Sequence, residues 1–254
     1  MTLEVTLSDM TDNASDTLPE IILTRPEKEA RDFSDRILSR LPKVKIIISP
    51  LIRIEFTKPK VDLTAFDGII FTSSNGVEAI KNFSIPQSMP CFAVGPKTAQ
   101  QAAQLGFLAS QGPGNADDLI TLILSQPSVG RLIHISGEHT RGNISTRLTQ
   151  AGQSCENIIA YRQETLSLTR EALHAFKGGK PLVLPLFSPR TAQLLITLSV
   201  PLEQSHVIAL SEAVAKPFND FKLSSLTVAK APRAESILDD LLRIFTNISS
   251  LETR

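Results

Sequence analysis

One pattern of strand-end residues occurs twice in this chain, each time where an apolar run gives way to a helix. The first copy reads Ile69-Ile70-Phe71-Thr72-Ser73-Ser74-Asn75-Gly76-Val77, then Cys91-Phe92-Ala93-Val94-Gly95-Pro96-Lys97-Thr98-Ala99, then Gly112-Pro113-Gly114-Asn115-Ala116. The second reads Leu184-Pro185-Leu186-Phe187-Ser188-Pro189-Arg190-Thr191-Ala192, then Val207-Ile208-Ala209-Leu210-Ser211-Glu212-Ala213, then Val228-Ala229-Lys230-Ala231-Pro232-Arg233-Ala234. Ser73 and Ser188, Ala93 and Ala209, and Ala116 and Ala234 stand 115, 116 and 118 residues apart, so order and spacing are both kept. This constrains the chain to two similar α/β units, each with small polar residues at its strand ends. Such a layout belongs to a two-lobed protein that grips one ligand in the cleft between lobes.

The rest of the chain keeps the same rhythm. Short apolar runs alternate with longer amphipathic stretches, which argues for βα units and parallel sheets. Strands are expected at 21–24, 45–48, 68–72, 91–94, 107–110, 131–135, 181–187, 206–210 and 225–229. Helices are expected at 75–83, 96–105, 115–125, 142–151, 189–198, 212–220 and 233–246, and one more after Pro26, which suits a first helical turn. Leu51–Phe56 and Ile158–Gln163 are extended segments outside this rhythm. The repeat alone allows two divisions. The copies could be tandem, cut near Gln126-Pro127-Ser128, or one lobe could be inserted into another built from both chain ends.

At 254 residues the chain has room for two ordinary cores. Lys+Arg and Asp+Glu are both 26, and the basic stripe of a nucleic-acid binder is missing. Cys91 and Cys155 lie in apolar runs and are expected as buried, inert thiols. No run approaches the length of a membrane span and no signal-peptide pattern opens the chain, so the expected location is the cytoplasm. Residues 1–18, polar and without a clear period, are expected to form a disordered tail.

The strand ends carry Ser, Thr, Asn, Gly and Pro rather than His, Asp, Glu or Cys. Short polar side chains cap helices, and the open N–H groups at helix starts attract anions. Several such starts facing one cleft could hold carboxylates or phosphates through main-chain hydrogen bonds, the reading the repeated ensemble favours; taken singly, each residue is better explained as a cap. Arg25, Lys97, Arg141, Arg147 and Arg190 stand near the same ends and could add positive charge. Gly112-Pro113-Gly114 lacks the third glycine of a dinucleotide fingerprint. His134 and His139 are not at helical ligand spacing, so no metal is expected. Tyr161, the only tyrosine, lies in the second extended segment. Its hydroxyl could give a hydrogen bond or proton to a ligand, or close a hinge against backbone.

Taken together, these residues resemble the uroporphyrinogen-III synthase family. The resemblance rests on Leu23-Thr24-Arg25-Pro26, Phe71 to Val77, Ala93 to Ala99, Gly114-Asn115-Ala116, Ile159-Ala160-Tyr161-Arg162, Phe187 to Ala192 and Pro232, in family order from about residue 20 to 245. It implies two parallel-sheet α/β lobes joined by a two-stranded antiparallel connector. Lobe 1 would comprise 19–53 and 164–248, the inserted lobe 57–158, and the connector strands 51–57 and 158–164. The implied activity is cofactor-free cyclisation of hydroxymethylbilane, a linear tetrapyrrole with eight carboxylates, with inversion of ring D through a spiro intermediate and loss of water. Tyr161 corresponds to the tyrosine that assists departure of the hydroxyl. The implied substrate-binding set is Arg25, Ser73, Ser74, Asn75, Gly95, Pro96, Lys97, Thr98, Asn115, Arg141, Ser188, Pro189, Arg190 and Ser211. The implied state is a monomer, with transient contact to hydroxymethylbilane synthase and with neither nucleic acid nor membrane as partner. Two departures stand out: Ser211-Glu212-Ala213-Val214 replaces a common Gly-Pro-Thr-Thr, and Asn75 stands where some members carry Arg. A non-catalytic tetrapyrrole- or polyanion-binding module on the same fold is the alternative. A periplasmic-type solute receptor would need the missing signal peptide.

Overall fold

The computed structural model describes residues 18–127, 129–140 and 142–252; the expected tail, apart from Leu18, lies outside them. By internal contacts the chain falls into two compact units, residues 1–53 with 165–254 and residues 54–164.

The first unit is built on five parallel strands. They are β1 (Glu20–Leu23), β2 (Ile46–Ile48), β9 (Leu182–Leu186), β10 (Ser205–Ala209) and β11 (Ser225–Val228), in the spatial order β11-β10-β9-β1-β2. Because these strands are covered on both faces, β1 and β9 read as apolar runs rather than alternating ones. Ile21, Leu23, Val183 and Ile208 face α1 (Glu27–Leu38) and α9 (Ala234–Glu252). Ile22, Leu184, Leu186 and Val207 face α6 (Arg170–Lys177), α7 (Pro189–Thr197) and α8 (Glu212–Ala215).

The second unit carries β4 (Gly68–Phe71), β5 (Pro90–Ala93), β6 (Leu108–Gln111), β7 (Leu132–Gly137), β8 (Cys155–Thr165) and β3 (Ile52–Phe56), in the order β3-β8-β7-β4-β5-β6. On one face α2 (Ser74–Ala79) and α3 (Pro96–Gln104) cover Ile69, Phe71, Ile133 and Ile135. On the other, α4 (Ala116–Leu124) and α5 (Ile144–Gln150) cover Ile70, Phe92 and Leu132.

Here the sheet departs from the purely parallel one expected, because the antiparallel pair expected as a separate connector is part of it. Leu166 N donates to Leu51 O at 2.9 Å and Thr57 N to Ala160 O at 3.0 Å. One strand's numbers rise as the other's fall, so β3 runs antiparallel to β8 and the sheet is mixed. The segment 158–164 is no strand of its own but the second half of β8. Residues 155–161 of the same strand run parallel to β7, from Cys155 opposite Leu132 to Tyr161 opposite Gly137, with a register shift at Ser136/Gly137. Cys91 is buried as expected, whereas Cys155 at the start of β8 is only half-buried. Among the described residues no helix is long and apolar enough to cross a membrane.

Candidate functional site

Strand order locates a candidate site in each unit separately. In the first, β1 and β9 are neighbours; α1 leads from β1 to β2 on one face, and α7 leads from β9 to β10 on the other. In the second, β4 and β7 are neighbours; α2 leads from β4 to β5 and α5 from β7 to β8, again on opposite faces. At such a reversal the two loops diverge and leave a crevice beyond the carboxyl ends of the strands, where ligands of open α/β sheets bind. The two repeat copies, β4-β5-β6 and β9-β10-β11, therefore each begin on a reversal strand.

At the β4 end, Ser73 is the cap of α2 and its Oγ accepts from Asn75 N at 3.1 Å. Ser74 and Asn75 form the first turn, half-buried. Gly76 follows because a Cβ there would lie 2.8 Å from Ile135 O, so only glycine lets the helix lie this close to β7. At the β5 end, Gly95 caps α3 without a side chain, Pro96 opens the helix, Lys97 is exposed and Thr98 is buried. At the β6 end, Asn115 Oδ1 accepts from Asp118 N at 2.9 Å, and its Nδ2 donates to Asp118 Oδ2 at 2.7 Å. Asp117, paired with Arg147 at 2.6 Å, and Asp118 fill the first turn of α4. That helix start already has its negative charge, which opposes a further anion. Arg141 lies outside the described residues.

Tyr161 stands at the reversal of this sheet. It is 8% exposed, and its ring lies over Gly137, the last residue of β7. A Cβ on Gly137 would fall 2.6 Å from Tyr161 Cε2 and 2.7 Å from Cζ. Glu138 N donates to Tyr161 O at 2.9 Å, which ties the backbone, while the hydroxyl has no hydrogen bond among the described residues. A bond from this hydroxyl to backbone, one of the two roles open to it from sequence, is not made among these residues.

In the first unit, Ser188 caps α7, accepting from Thr191 N at 3.1 Å and donating to Thr191 Oγ1 at 2.9 Å; Pro189 opens the helix and Arg190 is half-buried. Ser211 begins α8 but makes no capping bond, and Glu212 occupies its first turn. Arg25, just past β1, places its guanidinium carbon 3.8 Å from the centroid of the Phe187 ring. Burial lowers its pKa from the ordinary arginine value. So Arg25, Phe187 and Ser188 share one reversal point, and Ser73 and Tyr161 stand at the other.

Three residues of these ends escape a sequence reading. Phe187, the platform for Arg25, reads there as one more apolar strand residue. Thr24 is buried with its Oγ1 unpartnered among the described residues. His134, buried in β7, approaches Thr72 Oγ1 through Nε2 at 3.3 Å, and its Nδ1 has no hydrogen-bond partner among the described residues. Burial holds its pKa down to about 4, so the ring is neutral near pH 7. A polar residue inside the apolar run Leu132-Ile133-His134-Ile135 was the available signal.

A family model described as uroporphyrinogen-III synthase HemD matches residues 40–239. No curated protein matches the chain. Among solved structures, the uroporphyrinogen-III synthetase of Helicobacter pylori superposes with a TM-score of 0.65 at 18% identity, covering 89% of this chain and 100% of that one. A mutant uroporphyrinogen III synthase of the extremely thermophilic bacterium Thermus thermophilus gives 0.52 at 15% identity, over 91% and 100% of the two chains. At these identities the structures speak for the fold, and the family model for the family.

Proposed function

The chain belongs to the uroporphyrinogen-III synthase family, and from that premise we propose that it cyclises hydroxymethylbilane to uroporphyrinogen III. The reading rests on one placement above all: Tyr161 lies over Gly137 at the strand reversal, with its hydroxyl unengaged by the described residues.

The chemistry asks for few catalytic groups. The ring A pyrrole nitrogen pushes out the terminal hydroxyl, which leaves as water once it gains a proton, and an azafulvene cation remains. Ring D attacks through its substituted carbon; the spiro product then breaks that carbon's original bond to the bridge from ring C, and the second azafulvene cation so formed is attacked by the other α-carbon of ring D, which loses its proton and leaves ring D inverted. Tyr161 hydrogen-bonds the departing hydroxyl and stabilises the charge that develops on it. Unassisted, the substrate closes without inversion. The protein's main contribution is thus to hold a folded substrate in which the inverting attack is the near one, an effect of proximity and orientation. In the second unit, a substrate carboxylate is held by main-chain N–H groups at the start of α3, next to Gly95.

Replacing Tyr161 with Phe tests this role. Turnover should fall by about 100-fold, the usual size of one proton-donating group, with Michaelis constant and melting temperature little changed. Unchanged turnover under single-turnover conditions would remove Tyr161 from the chemistry and leave it a packing residue.

A further inference from the structure

One buried titratable side chain at the β4/β7 reversal takes no part in the chemistry above. His134 is 2% exposed inside β7, beside Ile70 of β4 and Asn157 of β8. A polar ring in an apolar strand is costly unless its nitrogens are used. Nε2 stands 3.3 Å from Thr72 Oγ1. Thr72 is half-buried, and its hydroxyl makes no other hydrogen bond among the described residues. It stands one residue beyond the Phe71–Ala93 pair, so it is level with Val94 and next to Gly95, which opens α3. The neutral ring carries one proton, and its two nitrogens are unequally placed. Nδ1 has no hydrogen bond among the described residues, and the nearby Asn157 side chain, which favours a charged ring, does not outweigh burial. A buried N–H left unpaired is rarer than an unpaired acceptor, which puts the proton on Nε2. Nε2–H then donates to Thr72 Oγ1, and the threonine proton is left for an acceptor at the strand end.

We propose that His134 is a positioning residue: it holds Thr72 Oγ1 by donation from Nε2, so that the Thr72 hydroxyl gives its proton to a substrate carboxylate next to the α3 start. This rests on the reading of the chain as a synthase, and it adds a side-chain donor to a grip otherwise made of main-chain N–H groups. A free hydroxyl turns through its whole circle, whereas one fixed by a buried donor loses little freedom when the anion arrives. Receiving one hydrogen bond also strengthens the one it gives, since neighbouring bonds polarise each other.

Three measurements test it: steady-state cyclisation of hydroxymethylbilane, fluorescence titration with uroporphyrin III, an air-stable octacarboxylate that needs no turnover, and nitrogen NMR of histidine-labelled protein. Thr72→Val, which keeps the shape and removes the hydroxyl, should weaken uroporphyrin binding and raise KM on the order of 10-fold, the scale of a hydrogen bond to a charged group. Its kcat should be largely kept. His134→Leu should weaken binding severalfold, and His134→Gln, whose amide can donate in place of Nε2, should recover most of that loss. In a Thr72→Val background, His134→Leu should cost nothing further. The histidine resonances missing from His134→Gln should show a protonated Nε2 and a bare Nδ1, and they should move when uroporphyrin is added. Normal affinity and KM in Thr72→Val, with unchanged circular dichroism and melting temperature, would overturn the proposal. So would a proton on Nδ1, or a His134→Leu loss undiminished in the Thr72→Val background. If His134→Leu does not fold, the Thr72→Val titration and the labelled ring still decide. If the unmodified chain forms no type III product but binds uroporphyrin with this pattern of losses, the synthase reading fails and the positioning role stands.

Discussion

Gly137→Ala is the sharpest perturbation of the proposed site because it adds one methyl directly beneath Tyr161. The new Cβ would lie 2.6 Å from Cε2, 2.7 Å from Cζ and 3.1 Å from the hydroxyl oxygen. Carbon atoms at rest sit about 3.5–4.0 Å apart, so the phenol must retreat by roughly 1 Å or the β7 end must yield. Gly137 has no positive φ, so alanine carries no backbone penalty and the effect is one of space. Overpacking of this kind costs about 1–3 kcal/mol, or a few degrees of melting temperature per kcal/mol in a chain of this size. The catalytic effect should be larger: a displacement of about 1 Å at a positioned group costs on the order of 100-fold. The assay is single-turnover formation of type III product by Gly137→Ala, Tyr161→Phe and the double variant. If Gly137 acts only by placing the phenol, its substitution should add almost nothing in the Tyr161→Phe background, a strong departure from additivity. A stable Gly137→Ala protein with full activity would refute the reasoning, and so would losses that simply multiply.

The other predictions concern charge, space and pH. Rising salt should raise KM, because a carboxylate held at an exposed helix start is screened over about 10 Å at 0.1 M; a KM indifferent to salt would argue against this grip. Gly95→Ala places its Cβ where no atom lies within 4 Å, so stability should hold while KM rises if a carboxylate approaches that backbone; an unchanged KM would exclude the α3 start from binding. Burial holds the His134 pKa down to about 4, against about 6.5 when unfolded. The unfolded chain takes up the extra proton first as pH falls, so this contribution is present above pH 6.5 and lost between 6.5 and 4. It amounts to about 3 kcal/mol, and denaturant titrations should show His134→Gln losing that part of the pH slope; an identical slope would mean the ring is charged or solvated in the fold.

Much of this organisation was legible because strand ends announce themselves. Phe71-Thr72-Ser73 and Phe187-Ser188-Pro189 each break an apolar run with a capping residue, and both serines do cap helices. The α/β class followed from alternation, since strands covered on both faces leave continuous apolar runs. Other elements were hidden for physical reasons. The helix expected at 212–220 shrinks to four residues and a 3-10 turn over Lys216–Phe218, because Pro217 cannot donate to the helical ladder. The continuity of β8 was obscured by Glu156 and Asn157, exposed polar residues at its start. The antiparallel β3 gave no local sign, because pairing direction depends on a partner about a hundred residues away. The stacking of Arg25 on Phe187 was equally invisible, as it needs β1 and β9 side by side, and no periodicity reports strand order.

The most direct test is the identity of the product. Hydroxymethylbilane generated in situ is offered to the purified chain without metal or cofactor, the products are oxidised, and the type I and type III uroporphyrins are separated. The account predicts mainly type III, formed in proportion to protein added, with type I returning as Tyr161→Phe replaces the unmodified chain. Type I alone, from protein whose circular dichroism and melting show it folded, would contradict it and favour a tetrapyrrole-binding module on the same fold.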